Sequence, residues 1–371
     1  MQLLTIKHHG LVILNFFSIH LRVNQLKFDV NSKNKSMRIL SIGHGEVIIP
    51  TPGWGAVETI IHETNEVLIS HNFVTGILNS KSIFTWIQAK RFSPKIILLH
   101  DDSKLLRTKL FWPRAKIILI THYGYAAFPE KWGKVYRSRV VRTFNFANKI
   151  VCLSPDILRE FTKYFKSEKL ILSPNGTSLS AHIRKQNFQK KFICLGKIEP
   201  RKKQYEIYKK LVDSDFDVDY FGQIEDLRVK LLISEDQQAA TCFKGLISRE
   251  KLNLILCDYV GLILVSDAEA DALVLYEAQM AGLPLVISRN SVGSQDLNLP
   301  WIKTIEDIDD LPNAMEDVLS SNFNAMTISN FARLNYNWEL RMKNLLIYLV
   351  EICSEELKVY NRKDSDNKDQ S

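Results

Sequence analysis

Glycine is sparse in this chain, 15 of 371 residues, and no stretch matches G-x-G-x-x-G or G-x-x-x-x-G-K-[ST]. That removes the dinucleotide fingerprint and the P-loop from consideration. Cysteine is scarcer still. The five thiols are odd in number and never spaced C-x-x-C, which speaks against a disulfide framework or a zinc ribbon and for reduced, buried side chains in a reducing compartment. No apolar run is long enough to span a bilayer, which takes roughly twenty residues. The nearest, LVILNFFSIHL at 11–21, is too short and lacks a small-residue cleavage site, so a signal peptide also fits poorly. These absences lead to the expectation of a cytoplasmic protein.

Acidic residues are thin in the first half. Residues 37–180 hold 20 basic and 10 acidic side chains, a balance of +10, whereas residues 181–371 hold 24 and 30, a balance of −6. A basic half calls for an anionic partner: a phosphorylated compound, a membrane surface or nucleic acid. No RNA- or DNA-binding signature accompanies the charge, so nucleic acid is set aside.

What is present is a rhythm of short aliphatic runs followed by helical patterns. RILSI (38–42), KIILLH (95–100), KIILIT (116–121) and KIVCLS (149–154) read as strands buried on both faces. Residues 56–69 place Val57, Ile60, Ile61, Val67 and Leu68 on one helix face. The pattern restarts after the polar segment 178–189, with strands at 190–198, 217–222, 242–245, 260–266 and 283–288 and helices at 201–212 and 248–259. The expected architecture is α/β, two tandem Rossmann-like doubly wound domains facing a cleft. Their bounds are 37–180 and 181–335. A loose extension (1–36) precedes them, and a polar, disordered tail (356–371) closes the chain. Folding is expected to begin near Met37.

The stretch SDAEADALVLYEAQMAGLPLVIS (266–288) carries the clearest chemistry. Glu269 and Glu277 are eight positions apart. On a single helix that spacing is about 12 Å along the axis, too far for a glycosidase acid/base pair. The sequence instead puts Glu269 in a loop and Glu277 inside a helix that starts near Asp271 and stops at Gly282. Two such carboxylates either grip separate parts of one polar ligand across a helix N-terminus or are ordinary solvated acids. Gly196-Lys-Ile-Glu-Pro-Arg201-Lys202 follows a strand directly, and cations at a helix start oppose its dipole but suit phosphate. Pro52-Gly53-Trp54-Gly55-Ala56 is a second glycine loop between strand and helix.

In order along the chain, the Gly53–Glu58 loop, Pro174-Asn175-Gly176, Gly196–Lys202 and the E-x7-E of Glu269 to Glu277 resemble the nucleotide-sugar glycosyltransferases of the GT-B fold. Within these, the likeness is to the large retaining family numbered four; it runs from Met37 to about Tyr348, where Tyr336-Asn-Trp338-Glu with Tyr348 resembles that family's closing helix (336–355), which crosses back onto the first domain. The resemblance implies the following roles. Arg201 and Lys202 bind the donor diphosphate, Glu277 the ribose, and Glu269 the transferred sugar, with His122 beside it. Gly53, Gly55, Gly196, Asp271, Ala272 and Leu273 complete the donor site. It implies a metal-independent enzyme with no required cofactor, moving a hexose from a nucleotide-diphosphate sugar to a glycan or lipid-linked acceptor with retention.

One departure is that Asp271-Ala272 stands where the family has Phe-Gly, which places a charge near the sugar. A catalytically degenerate nucleotide-sugar-binding protein, or an epimerase of the same fold, therefore remains an alternative. His100-Asp101-Asp102 reads as acceptor-side or structural. Lys104, Arg107, Lys109, Arg114, Lys116 and then Lys131, Lys134, Arg137, Arg139, Arg142, interspersed with Phe111, Trp112 and Trp132, form either a solvated face or a patch for peripheral contact with an anionic membrane at its inner face.

Overall fold

A computed structural model describes residues 24–28, 37–51, 53, 55–184 and 190–354. Two sheets form its frame. The first holds β1 (Asn24–Phe28), β2 (Arg38–Ile42), β3 (Val74–Ser80), β4 (Ile96–Leu99), β5 (Lys116–Ile120), β6 (Lys149–Cys152) and β7 (Leu170–Leu172) in the order β1-β3-β2-β4-β5-β6-β7. The second holds β8 (Lys191–Leu195), β9 (Asp217–Phe221), β10 (Phe243–Gly245), β11 (Gly261–Leu264), β12 (Leu285–Ser288) and β13 (Ile302–Ile305) in the order β10-β9-β8-β11-β12-β13. Every pairing is parallel except β1 with β3. Ile39, Ile97, Leu98, Ile117, Ile118, Ile193, Leu262 and Val286 are fully buried, as aliphatic strands covered by helices on both faces must be.

Among the parallel strands, each sheet reverses its order once, between β2 and β4 in the first and between β8 and β11 in the second. At such a switch point the loops leaving the strands diverge to opposite faces and open a crevice. The loops that carry the motifs leave those strands: 43–51 with Gly53 and Gly55 after β2, His100 after β4, Gly196–Lys203 after β8 and 265–272 after β11.

Two expectations need correction. Folding does not begin at Met37: residues 24–28 add an antiparallel edge strand to β3, from Asn24 opposite Ser80 to Phe28 opposite Gly76. The Gln25 side chain clamps the loop after β2, accepting from the Ile49 N–H at 2.9 Å and donating to the Ile49 carbonyl. NQLKF has one apolar face at most, too weak an alternation to stand out in sequence. Residues 1–23 and 29–36, the tail after 354 and part of the 178–189 linker lie outside the described residues.

The second correction concerns the basic stretches. Trp112 and Trp132 are core residues, and Lys104 is buried against the Gly43 and His44 carbonyls and Asp101. Arg139 pairs with Asp102 at 2.9 Å, and Lys131 donates to the Asp267 carbonyl of the second domain at 2.9 Å. A sequence run of cations and aromatics is thus divided between core, cleft and surface.

The chain returns to the first domain through the short helix Trp338–Arg341, capped by Asn337, and the helical stretch 343–354. Asn344 donates to the Leu172 carbonyl at 2.8 Å, Lys149 lies 4.7 Å from the Tyr348 ring, and Glu339 meets His71 at 3.2 Å. No described helix is long and apolar enough to cross a membrane.

Candidate functional site

The residues singled out in sequence converge. His122, Gly53, Gly55, Gly196, Arg201, Lys202, Glu269, Asp271, Ala272, Leu273 and Glu277 all line one cleft of about 440 Å³ between the two sheets.

Its floor is the turn after β8. Gly196 has φ +136°, and a Cβ there would stand 3.1 Å from the Lys202 Nζ, so only glycine lets the turn bring that ammonium into the cleft. Pro200–Lys202 is a single 3-10 turn that swings both cations toward Glu269. Lys202 Nζ lies 3.2 Å and Arg201 Nη1 3.4 Å from Glu269 Oε1. Arg201 also pairs with Glu199 at 2.8 Å and donates to the Ala268 carbonyl. Burial raises the Glu269 pKa, but Lys202 and Arg201 outweigh it and hold the carboxyl below its ordinary range. The cluster is charge-balanced as it stands. Any anion entering here would compete with Glu269 for these two cations.

The helix Leu273–Met280 begins at Ala272 with no side-chain cap. The first backbone N–H groups of such a helix have no intrahelical acceptor. Ala272, Leu273 and Val274 line the cleft, so these donors are available to an anion. Glu277 is buried on the same helix and meets Arg249 Nη1 at 2.8 Å. The contact is electrostatic rather than a directed hydrogen bond, which leaves carboxylate lone pairs for a ligand hydroxyl. Arg249 opens the helix Arg249–Ile255, 28 positions before its partner, and sequence reading did not find it. Its signal was slight: one more cation in the helix start after the Ser248 cap.

The roof comes from the first domain. At Gly53 a Cβ would lie 2.6 Å from the Ile247 carbonyl of the second domain, so this glycine serves the close approach of the two domains. Gly55 stands at the head of α1 (Ala56–Ser70), beside Glu58. His122, after β5, stacks on His100 with ring centroids 5.3 Å apart, and its Nε2 lies 3.0 Å from His100 Nδ1. Burial, then the nearby His44, push the His122 pKa down to about 3, and burial, then His122, lower that of His100. The pair is neutral at physiological pH, offering a polar edge rather than a proton. His44, next to it in the cleft, was also missed.

Asp271 corrects an expectation. The residue lines the cleft, but its carboxylate is fully buried and held by protein partners. It accepts the Asn175 N–H at 2.7 Å, the Ser294 N–H at 3.0 Å and the Tyr276 hydroxyl, and faces Arg341 at 3.9 Å. The Asn175 amide in turn donates to the Asp271 carbonyl at 2.7 Å, and Arg341 to the Asn175 carbonyl at 2.8 Å. The charge expected beside the sugar is instead the centre of a latch joining the Asn175 turn, the second domain and the closing helix. His100 and Asp102 line a second hollow of about 450 Å³ with His44, His122, Tyr123 and Arg139, adjoining the main cleft.

No family model matches the sequence, and no curated protein does. Solved structures match closely in fold. Sucrose-phosphate synthase from Thermosynechococcus elongatus superposes with a TM-score of 0.70 at 13% identity, over 86% of this chain and 100% of that one. HepE from Anabaena, solved with UDP and glucose, gives 0.66 at 13% identity, over 85% and 100%. The lipopolysaccharide outer core galactosyltransferase WaaB gives 0.59 at 15% identity, over 85% and 99%. At these identities the likeness establishes the fold: two parallel-sheet domains in the GT-B arrangement.

Proposed function

We propose that this protein is a glycosyltransferase taking a hexose from a nucleotide-diphosphate sugar, with UDP as the nucleotide to test first. The observation that carries the proposal is the placing of two differently held carboxylates, Glu269 on Lys202 and Arg201 and Glu277 on Arg249, along one cleft. HepE, of the same fold, is solved with UDP-glucose as well as UDP.

In this reading Glu277, oriented by Arg249, accepts hydrogen bonds from the ribose hydroxyls. The diphosphate lies between Lys202, Arg201 and the uncapped N–H groups at Leu273. As it binds, the cations exchange Glu269 for phosphate oxygens, and Glu269 turns to the hydroxyls of the transferred sugar. These positive groups are fixed before reaction and face the place where negative charge develops as the bond to the diphosphate breaks, the arrangement that stabilises a transition state most. The reading gives the diphosphate charge to side chains and backbone amides, without a divalent ion. Transfer with retention, to a glycan or lipid-linked hydroxyl entering from the hollow at His100 and Asp102, belongs to the same proposal. The binding-only alternative arose from Asp271, and that carboxylate is occupied by the interdomain latch.

Incubating the protein with UDP-sugars and measuring UDP release, with and without simple acceptors, tests the proposal. Release for one sugar is expected; no release from any nucleotide sugar, by protein that binds UDP, would leave the binding-only reading in its place.

A further inference from the structure

Among the described residues, the first domain carries an apolar surface that no neighbouring element covers. α2 (Ile83–Ala89) buries Trp86 completely, yet its neighbours Phe84 and Ile87 are 74% and 54% exposed. α3 (Leu105–Phe111) repeats the pattern, with Thr108 and Leu105 buried and Leu110 79% exposed. The two helices form one surface: the Trp86 ring packs 5.3 Å from Phe111 and 5.7 Å from Trp112, and the Arg107 guanidinium stacks 4.2 Å over Trp86. Large side chains protruding together in this way are costly in water and mark a contact surface.

The charge around them is of one sign. From 81 to 116 the only acids are Asp101 and Asp102, and these are committed to Lys104 and Arg139 at the cleft end of α3. Lys90, Arg91, Arg107, Lys109 and Arg114 belong to α2, α3 and the turns that follow them.

We propose that the outer face of α2 and α3 rests on an anionic lipid bilayer. Phe84, Ile87 and Leu110 would enter the boundary of the acyl chains while the cations meet the headgroups, the two-part affinity of interfacial helices. Protruding Phe84, Ile87 and Leu110 ringed by cations, with no uncommitted acid between 81 and 116, fit an anionic bilayer better than a folded protein partner, whose interface would pair charges of both signs. α3 begins at the turn bearing Asp102, beside the second hollow, so a lipid-linked acceptor held in that bilayer would lie near the site. That last link rests on the proposed function; the membrane contact does not.

Vesicle sedimentation decides it, with phosphatidylcholine vesicles with and without phosphatidylglycerol, at low and high salt. The full chain is expected to sediment with the anionic vesicles alone, and to be released by salt. The exposed pair Phe84→Ser/Leu110→Ser should lower the partition coefficient at least about tenfold. Lys90→Glu/Arg91→Glu should lower it about thirtyfold or more, since each cation near such a surface contributes about fivefold. Both variants should keep the wild-type melting temperature and affinity for UDP. A chain that stays in the supernatant at low salt, that binds neutral vesicles equally, or whose variants bind as wild type overturns the proposal. UDP affinity is read on the same samples, so failure of the membrane contact is distinguishable from failure of the donor site.

Discussion

Replacing Asp271 by alanine separates two views of one residue. In the family pattern its position adjoins the sugar; in the structure its carboxylate holds the domains together. Alanine would strand the buried N–H groups of Asn175 and Ser294, remove one partner of the Tyr276 hydroxyl, and leave Arg341 without its counter-charge. Hydrogen bonds to a charged group contribute about 1.5–3 kcal/mol each, and breaking a buried ion pair costs about 3–5 kcal/mol. Arg341 keeps the Asn175 carbonyl and the Tyr276 hydroxyl at 2.8 and 2.9 Å, so the lower end applies, about 3 kcal/mol. Asp271→Asn retains one acceptor but turns an amide N–H toward a donor, and should cost about half as much. Urea unfolding followed by fluorescence reads the loss, and calorimetric titration with UDP reads the site. The expected outcome is a clear drop in the unfolding midpoint with UDP affinity within about threefold of wild type. An Asp271→Ala protein as stable as wild type, or one that is stable but has lost UDP binding, would refute the latch.

Arg249→Ala should weaken UDP binding about tenfold, since it removes the cation that holds Glu277 in place, and should lower the melting temperature because the buried Glu277 carboxylate loses its counter-charge; a folded variant with equal affinity would remove Arg249 from the site. Deleting residues 1–36 should destabilise the protein and promote aggregation, because it uncovers the β3 edge and frees the loop held by Gln25. Unaltered melting and solubility after that deletion would show the edge strand to be dispensable. Acidification supplies a fourth test. The His122 pKa lies at about 3 in the folded protein, so between there and the ordinary imidazole range the unfolded chain takes up a proton the native site refuses. Stability therefore falls as pH drops from 7, by about 2 kcal/mol near pH 5 from this group. Glu269, held below the carboxylate range, loses its contribution only at lower pH and does not confound that step. His122→Gln should lessen the slope between pH 7 and 5 without abolishing it, because buried His100 also resists protonation there, and an unchanged slope contradicts the buried neutral pair.

Where chemistry is local, the sequence announces it. RILSI and KIILI become β2 and β5 because continuous aliphatic runs have no stable place except a covered parallel strand. Glu269, Arg201 and Lys202 were found because each sits at a strand end, where a doubly wound sheet puts its ligands. What escaped was set by contact at a distance. β3, VTGILNS, is interrupted by Gly76 and ends in Asn79 and Ser80, which are buried only because they hydrogen-bond across to Gly45 and Asn24. Arg249 acquires a role only through its fold-made meeting with Glu277. Asp271 looked like an intruder in the sugar site because its motif is linear, whereas its partners Asn175, Ser294 and Arg341 come from three other segments.

The central claim is that Glu277 and its cleft bind a nucleoside diphosphate. Calorimetric titration of UDP into wild-type protein and Glu277→Ala tests it most directly. The account predicts one site, with the variant folded and weaker by about 1.5–3 kcal/mol, and a further loss in Lys202→Ala from the diphosphate end. Wild-type protein that takes up neither UDP nor another nucleoside diphosphate, or a folded Glu277→Ala that binds as tightly as wild type, would contradict it.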